Sequence, residues 1–279
     1  MWVEKLARAG YAAKGVVYGT IGILAIQVAI SSGGKTTDSS GALRTIVTQP
    51  FGQFLLILVA IGLFGYSLWR LIEAIFDPES RKTDSKNIVK RIGYLFSGLI
   101  YGALGVQAVL LVTNSSSSSQ GNSNSTSDWT ARLMAQPFGR WLVALVGVIT
   151  IGVGLYRLYS AYKVKFRRKL NLIDLDANQQ KWIIRISRFG IAARGVIFLI
   201  IGGFFLQASR QYDPSEAKGL DGVLQTLARQ PYGKVLLGIV ALGLIAYAIY
   251  LFVQARYRQI PASNVPDSLP RELANHRYK

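Results

Sequence analysis

The sequence predicts an all-α, polytopic integral membrane protein. Its six transmembrane helices form three tandem helical hairpins, parallel repeats with pseudo-threefold symmetry. Three observations carry this reading. Of 279 residues, 51% are hydrophobic and 16% charged, with a mean hydropathy of +0.30, whereas soluble domains carry about 25% charged residues. Six apolar stretches, at 11–30, 54–76, 92–112, 141–162, 189–208 and 235–253, have the roughly 20 residues that a helix needs to cross a bilayer core. Finally, a segment beginning Arg-x-Gly occurs at 8–22, 91–105 and 188–202, and each copy leads into Gln-Pro-aromatic-Gly, at 49–52, 136–139 and 230–233. Self-similarity at a fixed period marks a repeat architecture. The repeats span about 2–79, 87–165 and 182–258, and a polar, proline-containing tail at 260–279 is expected to be disordered.

In the first helix of repeat one, Gly15, Gly19 and Gly22 are spaced four and three, which puts them on one face. Repeat two has Gly98, Gly102 and Gly105, and repeat three has Gly195 and Gly202 with Leu199 between. In lipid the hydrophobic effect does not drive helices together, and small residues let backbones approach closely. Gly15, Gly22, Gly98, Gly105, Gly195 and Gly202 are therefore read as helix-packing positions. The repetition of this first apolar run also makes it an uncleaved anchor rather than a removed signal peptide.

A polar, glycine-rich link at 31–41 follows, then 42–49, where Leu43, Ile46 and Val47 have helical spacing. The counterparts are 129–136 and 223–230, with Asp128 and Asp221 expected as caps. These are predicted to be short amphipathic helices at the outer interface. Pro50, Pro137 and Pro231 end them and are expected in the first turn of the next spanning helix, where a missing N–H costs nothing. With Gly52, Gly139 and Gly233 they form a corner motif.

The second helix of each repeat ends with Trp69, Tyr156 or Tyr250, read as an interfacial aromatic belt. Arg70 and Arg157 correspond, and Leu251 takes that place in repeat three. Glu73, three residues after Arg70, is expected to form a snorkelling ion pair at headgroup level. The loop 114–127 is low in complexity and predicted to be disordered. Lys163, Lys165, Arg167, Arg168 and Lys169 form a topology determinant that touches membrane lipid.

A net charge of +18 raises the question of nucleic acid. With the amino terminus inside, 20 of the 32 basic residues fall in inner segments and eight in outer ones. The positive-inside rule explains that alternation, places both termini in the cytoplasm and leaves nucleic acid unnecessary. The chain has no cysteine, and His276 lies in the tail. No Asp, Glu or His falls near the centre of a span, so neither intramembrane catalysis nor a metal or cofactor is expected.

The tandem repeats, with Arg-x-Gly, spaced glycines and Gln-Pro-aromatic-Gly, resemble the bacterial membrane family catalogued as domain of unknown function 1206. The resemblance covers about residues 2–258. It implies a six-helix protein of a bacterial inner (plasma) membrane, and no established activity, substrate or cofactor. Ser97 in place of Lys14 and Arg194, and Leu199 in place of a glycine, depart from an even threefold pattern.

Two function classes follow. Parallel repeats around a path suggest a transporter or channel for a small anionic or polar solute. Lys14 and Arg194, equivalent to Ser97, would give a basic inner mouth, and Gln27, Gln107 and Gln207 an amide-lined outer constriction. The opposing expectation is that the cations snorkel and each glutamine bonds a neighbouring helix. The second class is a structural, assembly or regulatory partner of other membrane proteins, which fits glycine-lined faces and an expected lack of buried charge.

Overall fold

A computed structural model describes residues 2–30, 36–76, 85–113, 125–173 and 175–258. Of the loop predicted to be disordered at 114–127, residues 114–124 lie outside them, as do the tail at 260–279 and His276, while 125–127 are helical and open the helix Ser125–Met134, a correction to that expectation. Among the described residues there are nine α-helices: α1 (Trp2–Ile30), α2 (Ser39–Val47), α3 (Gly52–Phe76), α4 (Ser85–Thr113), α5 (Ser125–Met134), α6 (Gly139–Tyr162), α7 (Ala177–Gln211), α8 (Leu220–Ala228) and α9 (Gly233–Tyr257). The six long ones are apolar enough to cross a membrane, so the protein is helical and membrane-spanning, as the sequence predicts. The short α2, α5 and α8 lie in the links at one end of the bundle, here called the cap end. Both the start of α1 and the end of α9 lie at the other end, the base.

The corner motif takes one shape three times, and it differs from the expectation. Pro50, Pro137 and Pro231 lie in the turn, while the helices begin two residues later at Gly52, Gly139 and Gly233. Each turn is closed by the glycine N–H donating to the glutamine carbonyl at 2.8 Å. The aromatic residue between them is left-handed, with φ of 58° at Phe51, 61° at Phe138 and 62° at Tyr232. That conformation costs a non-glycine residue roughly 1–2 kcal/mol. Glycine is required next, because a Cβ would lie 2.1 Å from the Ile46 carbonyl at Gly52, 2.2 Å from that of Leu133 at Gly139 and 2.3 Å from that of Ala228 at Gly233. The capping expectation also changes. Asp128 and Asp221 lie inside the first turns of α5 and α8, where carboxylates favour the helix dipole, and the N-cap of α8 is Gly219.

The spanning helices pack as a ring. The second helix of each repeat packs on the first helix of the next: α3 on α4, α6 on α7, and α9 back on α1. The predicted glycine faces make these joints, and the joints match residue by residue. A Cβ on Gly15, Gly98 or Gly195 would lie 3.0 Å from Phe252, 3.1 Å from Leu71 or 3.0 Å from Leu158. Two turns on, Gly22, Gly105 and Gly202 face Ile245, Phe64 and Ile151 at 2.7, 3.2 and 2.6 Å.

Within the repeats the packing is unequal. α1 packs on α3 and α7 on α9, but among the described residues α4 and α6 are not a packed pair. Twelve residues after the corner proline, repeats one and three have Gly62 and Gly243, whose added Cβ atoms would lie 2.5 Å from Ala13 and 2.2 Å from Ala193. The equivalent residues in repeat two are Ile149 and Phe96. Two small residues allow close crossing, and two large ones forbid it. The ring is open at its middle repeat.

At the base, a 3-10 turn at Lys165–Lys169 runs under the ring. Phe166 and Leu170 of this basic segment are buried, Phe166 edge-on to Tyr250 at 5.7 Å, and Asn171 N–H donates to the Tyr257 carbonyl at 2.8 Å.

Candidate functional site

Helical spacing puts Tyr11, Lys14 and Tyr18 on one face of α1, and Tyr66, Arg70 and Glu73 on one face of α3. On α7, Arg194 occupies the place of Lys14, and Phe198 that of Tyr18. These faces turn into the ring. Lys14 and Arg194 are only 5% and 9% exposed. They do not snorkel. The Lys14 ammonium donates to the Tyr66 hydroxyl at 3.0 Å and stands 4.1 Å and 4.2 Å from the ring centres of Tyr66 and Tyr101. The Arg194 guanidinium lies 4.5 Å from both Tyr18 and Tyr247, and Tyr101 neighbours it as well. Ser97, the third equivalent, is half-buried.

A chain of polar contacts leads from this pair to the base. Arg70 Nε donates to Tyr66 Oη at 2.7 Å, and Arg70 Nη1 to Glu73 Oε2 at 2.5 Å. Arg258, just beyond α9, donates to Glu73 Oε1 at 3.2 Å and to the Tyr11 hydroxyl. Burial pushes the Arg258 guanidinium down to about 10, which leaves it charged at neutral pH. Two sequence expectations are thereby corrected. Charge is buried in this protein, and Arg70–Glu73 is an interior ion pair rather than a headgroup one, because Arg258 folds over it. The aromatic belt holds only for exposed Tyr156, since Trp69 and Tyr250 are buried.

The charges do not balance. Lys14, Arg70, Arg157, Arg194 and Arg258 reach into the interior, and among the described residues Glu73 is the one buried carboxylate. Nη1 of Arg194 and Nε of Arg157 are buried without a hydrogen-bond partner. A guanidinium cannot shed its proton. Stacking on desolvated aromatic rings returns about 2 kcal/mol per contact, and with three rings against Arg194 and two against Lys14 it offsets much of the several kcal/mol that burying an ion costs. Among the described residues this interior carries more positive than negative charge.

A cavity of about 290 Å³ opens onto it. Arg194 and Tyr18 lie at its deep end, Ile100, Leu104 and Leu244 along its walls, and Asp38 with two serines at the cap end. Gln27, Gln107 and Gln207 are not among its lining residues. Gln27 and Gln207 are exposed, and Gln207 donates to Glu216 at 3.0 Å. The structure brings Lys14 and Arg194 together and leaves the glutamines outside that cavity.

The repeats that build this site match, at residues 9–77, 92–164 and 189–258, the family model described as Domain of Unknown Function (DUF1206). The chain belongs to this family. This DUF1206 chain is thus three copies of one segment, giving Lys14, Tyr66, Arg70 and Glu73 from the first, Tyr101 and Arg157 from the second, and Arg194, Tyr247 and Arg258 from the third. The "Uncharacterized protein YxxB" of Bacillus subtilis (strain 168) is 34% identical over 259 residues, covering 93% of this chain and 92% of that protein. No solved structure matches this DUF1206 chain.

Sequence reasoning missed the tyrosines and Arg258. A signal was present: Tyr18, Tyr101 and Phe198 each stand four residues after Lys14, Ser97 and Arg194, and Tyr66 and Tyr247 each stand sixteen after a corner proline. Arg258 carried none, since it follows the last span.

Proposed function

We propose that this protein is a non-enzymatic carrier for an anion in a bacterial inner membrane, with both termini in the cytoplasm. The observation that supports it is Arg194, buried at the deep end of a cavity with one nitrogen unpartnered, among five cations and one carboxylate. Lys14 and Arg70 add to the field, and the tyrosine rings keep the cations in place without neutralising them. The base is closed by the Arg258–Glu73 pair and the segment around Phe166, while the cavity runs from Arg194 toward Asp38, Ser39 and Ser40 at the cap end. A carrier alternates between such states. Release of the anion inward would need that ion pair to part.

Proteoliposomes loaded with radiolabelled phosphate, acetate or decyl phosphate test this reading. At least one anion should move faster than in protein-free vesicles, with the increment falling tenfold or more in Arg194→Gln and partly kept in Arg194→Lys. No Arg194-dependent movement of any of the three overturns it.

The alternative, an assembly partner without transport, is favoured by Gly93 and Gly152, around which nothing lies within 4 Å. A helix of another membrane protein packs well on such positions. Repeated crosslinking of one foreign membrane protein to cysteines placed there would support it, and self-contacts alone would count against it.

A further inference from the structure

We infer that the anion is the head of a single-chain amphiphile, a fatty carboxylate or an alkyl phosphate, which reaches Arg194 sideways from the lipid through the opening between α4 and α6. This rests on the anion-binding reading above and names its ligand.

The cavity is graded in polarity. Arg194 stands at one end with Nη1 unpartnered, and above it Ile100, Leu104, Ile197, Phe198, Ile201 and Leu244 give only apolar surface. A small hydrated anion moving along those walls would lose water and meet no donor in exchange. An alkyl chain coming from the bilayer would exchange one apolar surrounding for another and lose nothing along the same walls. From Arg194 to Ile201 is seven residues of helix, about 10 Å, the reach of a medium-length chain. A volume of about 290 Å³ is at the lower end for ligand pockets, suited to one chain and not to a two-chain lipid.

The route follows from what closes the other sides. The base is shut by Arg258, Glu73 and Phe166. The cap end of the cavity carries Asp38, whose carboxylate repels an anion. The break between α4 and α6 has no packed helix pair across it. Exposed Phe96 and Ile149 occupy the places where repeats one and three have the small residues that close them. An amphiphile dissolved in the leaflet meets this break with its chain already in hydrocarbon, and the head gains Arg194.

The test uses the full chain in phosphatidylcholine nanodiscs and reads thermal unfolding against concentration of three probes: decyl phosphate, inorganic phosphate and decyl maltoside. Decyl phosphate should stabilise the protein with an apparent affinity at least tenfold above that of inorganic phosphate, and decyl maltoside should not. The affinity should fall about tenfold in Arg194→Gln, the loss of one charge-assisted hydrogen bond, and be largely kept in Arg194→Lys. Ile100→Trp, at an exposed wall position that does not threaten folding, should weaken decyl phosphate while leaving any effect of inorganic phosphate unchanged. Equal, Arg194-dependent binding of both phosphates overturns the amphiphile and leaves the anion carrier standing. Equal stabilisation by decyl phosphate and decyl maltoside, indifferent to Arg194, overturns both readings, as does the absence of any shift.

Discussion

Repeats one and three close on themselves, while repeat two stands open between its own two helices. All three nevertheless join their neighbours through the same glycine face. Gly15, Gly98 and Gly195 meet equivalent partners at nearly equal distances, so the joint between repeats is built three times. The joint inside a repeat is built twice. α4 goes with α3, α6 goes with α7, and the middle repeat is split between the two ends of an open ring. The lesson is that the repeated residues make the scaffold, and the residues that break the repeat decide where the ring opens.

The largest effect that tests this contrast comes from one equivalent glycine. A Cβ at Gly10 would lie 2.5 Å from Tyr66 Cβ and at Gly190 2.3 Å from the Tyr247 nitrogen, whereas Gly93 has nothing within 4 Å. Gly10→Ala and Gly190→Ala should each destabilise by about 3 kcal/mol, since backbone cannot yield as a side chain does. Gly93→Ala should instead stabilise by up to about 1 kcal/mol through helix propensity. Thermal unfolding of the three variants in one detergent reads the difference, and equal losses would mean that repeat two is closed after all.

Next come the equivalent arginines. Arg70 bonds Glu73 and Tyr66, while Nε of Arg157 has no partner. Arg70→Gln should cost about 2 kcal/mol, and Arg157→Gln less than half of that. Comparable costs in the same unfolding assay would remove the asymmetry of the charge cluster.

A smaller effect, in structure more than in stability, sharpens the cause of the opening. Phe96→Ala with Ile149→Gly gives repeat two the small pair of its neighbours. Cysteines at Gly93 and Val153, the equivalents of Gly10 and Tyr66, should then form a disulfide that they do not form in the parent background, because bridging needs Cα atoms within about 7 Å. The chain has no other cysteine to confuse the readout. Crosslinking at the parent level would show that bulk at those positions is not what holds α4 and α6 apart.

The smallest effect concerns how α5 of repeat two leans on repeat three. Ser127 Oγ donates to the Pro214 carbonyl at 3.1 Å, in a turn capped by Asp213, whose carboxylate accepts from Ser215 N at 2.9 Å. Hydrogen bonds from Ser215, its side-chain hydroxyl first and its backbone N–H second, hold the Asp213 carboxyl below its ordinary value. A depressed folded-state pKa contributes stability above the unfolded pKa and loses it as pH falls through the folded one. The turn should therefore loosen only in acid, below the usual carboxylate range. Hydrogen exchange at Ser215 should show that transition in the parent and not in Asp213→Asn.

Much of the fold is legible in the chain. The six spans, the three short helices, the corner turns and the glycine faces follow from hydropathy, spacing and repetition, which are local properties. The corner shows where local rules stop. Proline after glutamine announces a turn, but the left-handed Phe51, Phe138 and Tyr232 are imposed by the packing of Gly52, Gly139 and Gly233 on the preceding helix. Lys14 and Arg194 are recognisable as equivalent cations, while their surroundings are not. A lysine near a helix end snorkels or is buried depending on what covers it, and the cover here is Tyr66 and Tyr101, while Arg258 folds back from beyond the last span over Tyr11 and Glu73.

The sequence by itself determined the membrane class, the number of spans, the threefold repetition and the faces by which the repeats join, because each rests on residues within a few turns of one another. Only the tertiary structure decided that the ring stays open at repeat two, that five cations share an interior with one buried carboxylate, and that the glutamines lie outside the cavity. Those outcomes depend on which side chains meet across helices distant in sequence, where a pair such as Phe96 and Ile149 acts only through its joint bulk and a buried charge is balanced only by what lies opposite.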